Sequence, residues 1–300
     1  LLSTYIDAIP EGLDANSRLH STFILSGAAT GRMASQNPGL QNIPIRTELG
    51  RAIRKAFIAE EGKSLLSLDY SQIELRIAAI LSEDKKLIEI FKNGEDVHTG
   101  VAMRVFGVEA DKVDKAMRTK AKTINFGVLF GMGVSALKTN LKTDRKEAQE
   151  FYNHYFETFK GLAEYLDKTK ASAERLGYTE TMYGRRRYFA GLRSPLPFIK
   201  ASAERMAINA PIQGTEADIV KISMKQIDDM LKAEKLVGKV ELVLQVHDEI
   251  VYEVDDALVE SVAPKLKAIM EGVMKGKETH GVPIVAEMSA GKNWDELKKL

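Results

Sequence analysis

Apolar and polar positions divide the chain into stretches with different periods. Residues 65–69 form a short, mostly apolar run, and residues 240–246 and 250–254 form two more, rich in Val, Ile and Leu. Runs of that length and content predict strands, the last two as a hairpin turning at His247-Asp248. From residue 71 to 81, and again from 83 to about 176, apolar residues recur at intervals of three and four, which predicts one helix followed by several others. Residues 177–183 predict a short strand and turn, 199–232 a helix kinked at Pro211, and 258–275 a closing helix. The first 60 residues are dense in Gly, Pro, Asn and Ser and predict turns joining short extended pieces. A sheet is therefore split in sequence, with helices inserted between its halves, and the expected class is α+β.

Composition sets limits on this picture. With 44% hydrophobic and 28% charged residues, the 300-residue chain has the balance of a soluble globular protein able to bury one large core or two smaller ones. The absence of cysteine excludes disulfides, thiolate metal sites and a cysteine nucleophile, and fits a reducing compartment. No apolar stretch approaches the roughly 20 residues that cross a bilayer, and no signal pattern opens the chain, so the expectation is a cytoplasmic protein with no membrane partner. A net charge of +1 says little, but cations gather locally at Arg51, Arg54 and Lys55, at Arg118, Lys120 and Lys122, and at Arg185, Arg186 and Arg187. Contact with a polyanion would be patchy; each cluster also reads as a solvated face.

Candidate chemistry starts with two aspartates, each at the end of an apolar run. If those runs are neighbouring strands, Asp69 and Asp248 form a paired-carboxylate site able to bridge divalent ions roughly 3.5–4 Å apart, the geometry used for phosphoryl transfer. The hairpin turn lacks the Asn-Gly or Asp-Gly pair that such turns favour, and a broken local rule often marks function. Taken singly, Asp248 also reads as a polar hairpin tip and Asp69 as the N-cap of the helix over 71–81.

A second constellation lies on the helix expected over residues 113–131. Arg118, Lys122, Phe126 and Phe130 recur every fourth residue, giving one slowly winding stripe of cations followed by rings. Such a stripe suits a nucleotide, with cations on its phosphates and a ring against sugar or base; core packing is the plain alternative for the rings. Arg205, Asn209 and Gln213 repeat the spacing on a later helix and suit the minor-groove edges or backbone of a duplex, or simply a polar helix face. His20, His98, His154 and His280 fall in no recognisable cluster.

The runs 68–76 (Leu-Asp-Tyr-Ser-Gln-Ile-Glu-Leu-Arg), Arg118-x-x-x-Lys122-x-x-x-Phe126-Gly127 and Gln245-Val246-His247-Asp248-Glu249 resemble motifs A, B and C of the family A, bacterial DNA polymerase I-like, DNA polymerases, in order and spacing. The resemblance extends from Ser3-Thr4-Tyr5 through Thr30-Gly31-Arg32 and Gln41-Asn42-Ile43-Pro44 to Gly291-Lys292-Asn293-Trp294. It implies a right-hand polymerase fold whose palm carries an antiparallel sheet, with a large helical fingers insertion and the thumb largely absent. Residues 1–75 would be the N-terminal part of the palm, starting at the thumb–palm junction, 76–200 the fingers and 201–300 the C-terminal part of the palm.

By the same resemblance the activity is template-directed addition of deoxynucleotides to a primer 3′-OH with release of pyrophosphate. Two Mg²⁺ ions, replaceable by Mn²⁺, would be held by Asp69 and Asp248 with the Tyr70 backbone carbonyl. Arg118 and Lys122 match triphosphate-binding positions, with Lys122 the proton donor to pyrophosphate, and Phe126 stacks on the incoming sugar and base. Glu74 matches the steric gate against a ribose 2′-OH, and Gln72, His98 and Phe130 complete the expected nucleotide-binding set. Phe130 stands where the family commonly has tyrosine, keeping the ring and losing a hydroxyl. Arg32, Arg46, Arg205, Asn209, Gln213 and His247 would contact primer-template DNA.

The resemblance also implies that most of the thumb and the nuclease regions of many relatives lie outside this sequence. No proofreading, weak salt-dependent DNA binding and a monomer in the bacterial cytosol or nucleoid are therefore expected. Two other readings share these features. One is a single-subunit RNA polymerase, against which Glu74 stands; the other is a non-catalytic primer-template-binding fragment.

Overall fold

The computed structural model describes residues 2–45 and 47–300. Along the chain run helix α1 (Ala8–Glu11), strands β1 (Thr22–Ile24) and β2 (Ala34–Gln36), helix α2 (Glu48–Lys55) and strand β3 (Lys63–Tyr70). Six helices follow: α3 (Ile73–Ser82), α4 (Lys85–Lys92), α5 (Val97–Phe106), α6 (Lys115–Leu129), α7 (Val134–Leu141) and α8 (Arg145–Thr158). Next come α9 (Lys160–Leu176), strands β4 (Tyr178–Glu180) and β5 (Arg186–Tyr188), and the long helix α10 (Pro197–Ala233). The chain closes with β6 (Val240–Val246), β7 (Glu249–Asp255), α11 (Val259–Gly272), β8 (Ala286–Gly291) and β9 (Lys298–Lys299).

These elements form two compact units. The sheet unit comprises Leu1–Ser71, Ala217–Lys275 and Ile284–Leu300. Its antiparallel sheet has the strand order β6-β7-β3-β8-β9, so β3 is central although its partners come from the far end of the chain. Centrality explains the composition of β3: Leu65, Leu66, Ser67 and Leu68 are all buried, and a strand covered on both faces cannot alternate. Tyr5, Leu40, Ile43, Ile53, Leu65, Leu244, Val246, Val251 and Trp294 form one core cluster on this sheet. The Arg54 guanidinium lies 4.1 Å above the Trp294 ring. Beneath β3 the buried Tyr70 hydroxyl shares a 2.6 Å hydrogen bond with Ser223 Oγ and donates to the Met270 carbonyl at 2.9 Å, tying the end of the strand to α10 and α11.

The helical unit comprises Gln72–Glu216 and Gly276–Pro283. Helix α3 is apolar and buried almost all round, as a helix with neighbours on every side must be. Asp84, Asp96, Asp114 and Asp144 cap α4, α5, α6 and α8 through side-chain oxygens that accept from backbone N–H groups. Small residues Ala173, Ala203, Ala207 and Ala210 let α9 and α10 pack closely around Phe189 and Leu192.

The structure departs from the sequence-based elements in several places, four of which bear on the site and its supports. Residues 48–55 are helical where turns were expected, because Thr47 caps the segment by accepting from Gly50 N–H. Arg186 and Arg187, the last two of the arginine triplet, open a second strand, β5, which pairs with β4 while the Arg186 guanidinium covers the Tyr178 ring at 4.6 Å. Strand β8 was not foreseen at all, since Ala-Glu-Met-Ser-Ala-Gly has weak strand propensity and β3 organises it. Finally, α6 ends at Leu129, so Phe130 is its C-cap rather than a helical residue, and the turn is completed by Gly131 at φ +68°.

Candidate active site

Asp69 lies in β3 and not at a helix N-cap, a position occupied by Gln72. Asp248 lies in the two-residue turn between β6 and β7, and its backbone carbonyl accepts from Tyr70 N–H at 3.2 Å. The strand register therefore brings together two residues that are 179 positions apart, 248 less 69. It also does more: Asp69 is directly opposite Glu249 on one side and Glu287 on the other. Residues paired in this way share a face of the sheet, so three acids form a row with Asp248 beside them.

The electrostatic result is a carboxyl held against its preference. Asp69 is exposed at the sheet rim, yet its carboxyl is hemmed in by protein; this desolvation first, then the charges of Asp248, Glu249 and Glu287, push its pKa up to about 7. Glu249 is braced by Ser67 Oγ at 2.6 Å and Trp294 Nε1 at 3.4 Å, and Glu287 pairs with Lys299 at 3.1 Å. Among the described residues no group of three or more His, Asp or Glu side chains is gathered to hold a metal ion by itself. A pair of carboxylates at a rim fits a hard divalent ion that takes its remaining ligands from water and substrate oxygens, as Mg²⁺ does.

The turn that carries Asp248 is built with strain and braced. His247 is exposed with φ +56°, the left-handed region that costs a residue bearing Cβ roughly 1–2 kcal/mol. Its carbonyl accepts from Gln245 Nε2 at 2.5 Å, while Gln41 Nε2 donates to both the backbone carbonyl and Oε1 of Gln245 at 3.0 Å. Neither glutamine stood out in the sequence as a support of Asp248.

Within the helical unit, the sequence-predicted cations sit on α6. Arg118 is exposed and forms a two-pronged pair with Asp96, Nε to Oδ1 at 3.1 Å and Nη2 to Oδ2 at 3.0 Å. Lys122 is exposed one turn on, then Phe126, whose ring centroid is 5.6 Å from that of His98. His98 is buried, and Asn125 lies within 3.2 Å of its Nδ1. Glu74 opens α3 and receives a 3.4 Å hydrogen bond from Gln213 Nε2; Gln72 precedes it at φ +55°. Phe130 is 46% exposed, available to a flat partner as core packing would not leave it.

The DNA-facing candidates are not alike. Arg205 is exposed and its stem packs on Gly131, where a Cβ would come within 2.6 Å of Arg205 Cγ. Asn209 is buried instead, and its Nδ2 donates to the Leu129 carbonyl at 3.2 Å, satisfying one of the open acceptors at the end of α6. Arg32 is half-buried in the sheet unit. Arg46 lies outside the described residues. No described helix is long and apolar enough to cross a membrane.

Comparison with known proteins agrees with this architecture. The family model for DNA polymerase family A matches residues 1–296. The thermostable DNA polymerase I of Thermus aquaticus is 45% identical over 300 residues, covering 100% of this chain and 35% of that protein. DNA polymerase I of Pseudomonas aeruginosa is 44% identical over 297 residues, covering 99% and 32%. Among solved structures, the POL domain of Pol1 from M. smegmatis, in complex with DNA primer-template and dNTP, superposes with a TM-score of 0.93 at 39% identity, covering 99% of this chain and 51% of that one. The chain thus spans about a third of the length of these curated relatives. It belongs to DNA polymerase family A.

Proposed function

We propose that this chain is the core of a template-directed DNA polymerase that adds deoxynucleotides to a primer 3′-OH and releases pyrophosphate. The sheet unit is its palm and the helical unit its fingers. The observation that carries the reading is the row of acids around Asp69. A carboxyl driven up to about 7 by protein and by like charges is a group waiting for a cation, and Asp69 and Asp248 converge at a rim where one can enter.

Asp69 and Asp248, with the Tyr70 carbonyl, are the groups that would hold two Mg²⁺ ions, for which Mn²⁺ could substitute. Bound there, the ions supply Lewis-acid chemistry that makes the primer 3′-OH acidic and carries phosphate charge. The remaining steps belong to the chain's own side chains. Arg118, held in orientation by Asp96, presents a guanidinium to phosphate oxygens, and Lys122 gives a proton from its Nζ to the departing pyrophosphate. Phe126 stacks on the sugar and base, with Phe130 and Gln72 on the same nucleotide's surroundings. Glu74, steadied by Gln213, fills the space that a 2′-OH would need. Primer-template DNA is taken by Arg32, Arg46, Arg205, Gln213 and His247, with Asn209 acting from inside by holding the end of α6.

Primer extension with Mg²⁺ and deoxynucleotides tests this. Wild type should extend a primer, and Asp248→Ala should lose at least about 10³-fold in rate while still binding labelled primer-template. Binding without extension by the folded wild-type chain would show it to be a non-catalytic binding fragment, and undiminished extension by Asp248→Ala would overturn the assignment of the acids.

A further inference from the structure

Asn125 is 1% exposed in α6, seven residues after Arg118 and three after Lys122 and therefore near them on the helix face, but buried where they are exposed. Its Nδ2 is 3.2 Å from His98 Nδ1, while its Oδ1 is buried with no hydrogen-bond partner. An orphaned buried acceptor is costly, and the reverse amide orientation would be no better, because it would strand an N–H₂ group where the oxygen now sits. The amide orientation is informative about the histidine. With its amide nitrogen toward Nδ1, Asn125 donates there when Nδ1 is the lone-pair nitrogen and the neutral ring carries its proton on Nε2; the flipped amide would match the other tautomer.

The surroundings oppose a second proton. His98 is itself 5% exposed, and its pKa is lowered chiefly by that burial and further by Arg118 and Lys122, with Asp96 pulling the other way. Asp96 is already engaged by Arg118. Of the acids on the neighbouring helices, Glu89 and Glu95 pair with Arg104 and Glu147 pairs with Lys120. On its outer face His98 meets the Phe126 ring.

We propose that Asn125 is a positioning residue that fixes His98 as a neutral imidazole with its proton on Nε2, so that His98 serves the incoming nucleotide as a hydrogen-bond donor and not as a third cation. This rests on the polymerase reading and deepens it. Arg118 and Lys122 supply the charge that a triphosphate needs; a histidine locked in one tautomer adds direction, and its contribution holds across the pH range in which a free histidine titrates.

Ring ¹⁵N NMR on the labelled full chain, without substrate, reads the tautomer directly. The chain has five histidines, and the His98 signals are those lost in His98→Gln. In wild type, His98 should be neutral and Nε2-protonated at about pH 7 and still so at about pH 6. Asn125→Leu, of similar shape but without a donor, should give a tautomer mixture; Asn125→Asp should move the proton to Nδ1 or add a second one. In primer extension, Asn125→Leu should raise KM for the deoxynucleotide about tenfold with kcat little changed, and add nothing on top of His98→Gln. An Nδ1-protonated or charged His98 in wild type, a tautomer unmoved by Asn125→Leu, or fully additive losses would overturn the proposal. Should the wild-type chain not extend primers at all, the polymerase reading fails, and the NMR result still decides the role of Asn125.

Discussion

At Asp69 the fold holds a carboxyl in the protonated form well above its ordinary range, and this has a measurable sign. The folded-state value of about 7 exceeds the ordinary aspartate value of 3.8, so between those limits the folded chain binds more protons than the unfolded one. Stability of the chain in chelator should therefore fall as pH rises through that window, and calorimetric Tm should show it. Asp69→Asn should flatten the slope, and added Mg²⁺ should restore Tm most at the alkaline end, where the carboxylate is free to bind it. A Tm that rises with pH in chelator would contradict the crowded-acid account. Glu74 offers a second test at this scale. Glu74→Ala should relax selection against ribonucleotides by about 10²-fold in the ratio of kcat/KM values, with Gln213→Ala giving a smaller change through the lost 3.4 Å contact. Both aspartates, the α6 cations and Glu74 become candidates from sequence because each sits in a motif with fixed spacing. Glu287 and Asn125 do not: Glu287 acquires meaning only from its register opposite Asp69, and Asn125 only from the ring beyond its amide.

At the scale of elements, the end of α6 is where the chain turns at Gly131 against the stem of Arg205. Gly131 has φ +68°, and a methyl group there would collide with Arg205 Cγ at 2.6 Å. Gly131→Ala should lower stability by about 1–3 kcal/mol in denaturant titration, through both backbone strain and the displaced arginine. Asn209→Leu should cost about 1–3 kcal/mol by leaving the Leu129 carbonyl unpaired, without requiring any contact to DNA. The strongly periodic helices and the β6–β7 hairpin were legible because their patterns run for many residues. Helix α2 and strand β5 were not, since a short polar segment leaves the decision to a single cap or to an arginine lying over a tyrosine.

At the scale of the whole molecule, the sheet is assembled from three separate stretches of sequence, and its central strand depends on the last of them. Removing residues 284–300 would leave β3 unpaired on one edge and take Trp294 out of the core cluster. Such a chain should lose the cooperative unfolding transition of the sheet unit by circular dichroism, together with any stabilisation by Mg²⁺. Retention of both would mean that β8 is an accessory to the site.

From the residue pattern come the class of the fold, its split sheet, the family resemblance and the choice of Asp69 and Asp248 as candidates. These are carried by local periodicity and by motifs whose spacing is fixed along the backbone. Which strands flank β3, that burial and a row of acids raise the Asp69 pKa, that Asn209 is buried, and that Asn125 lies against His98 emerge with the folded chain. Those facts depend on register and on packing between residues far apart in the chain, and neither has a signature in a local run of amino acids.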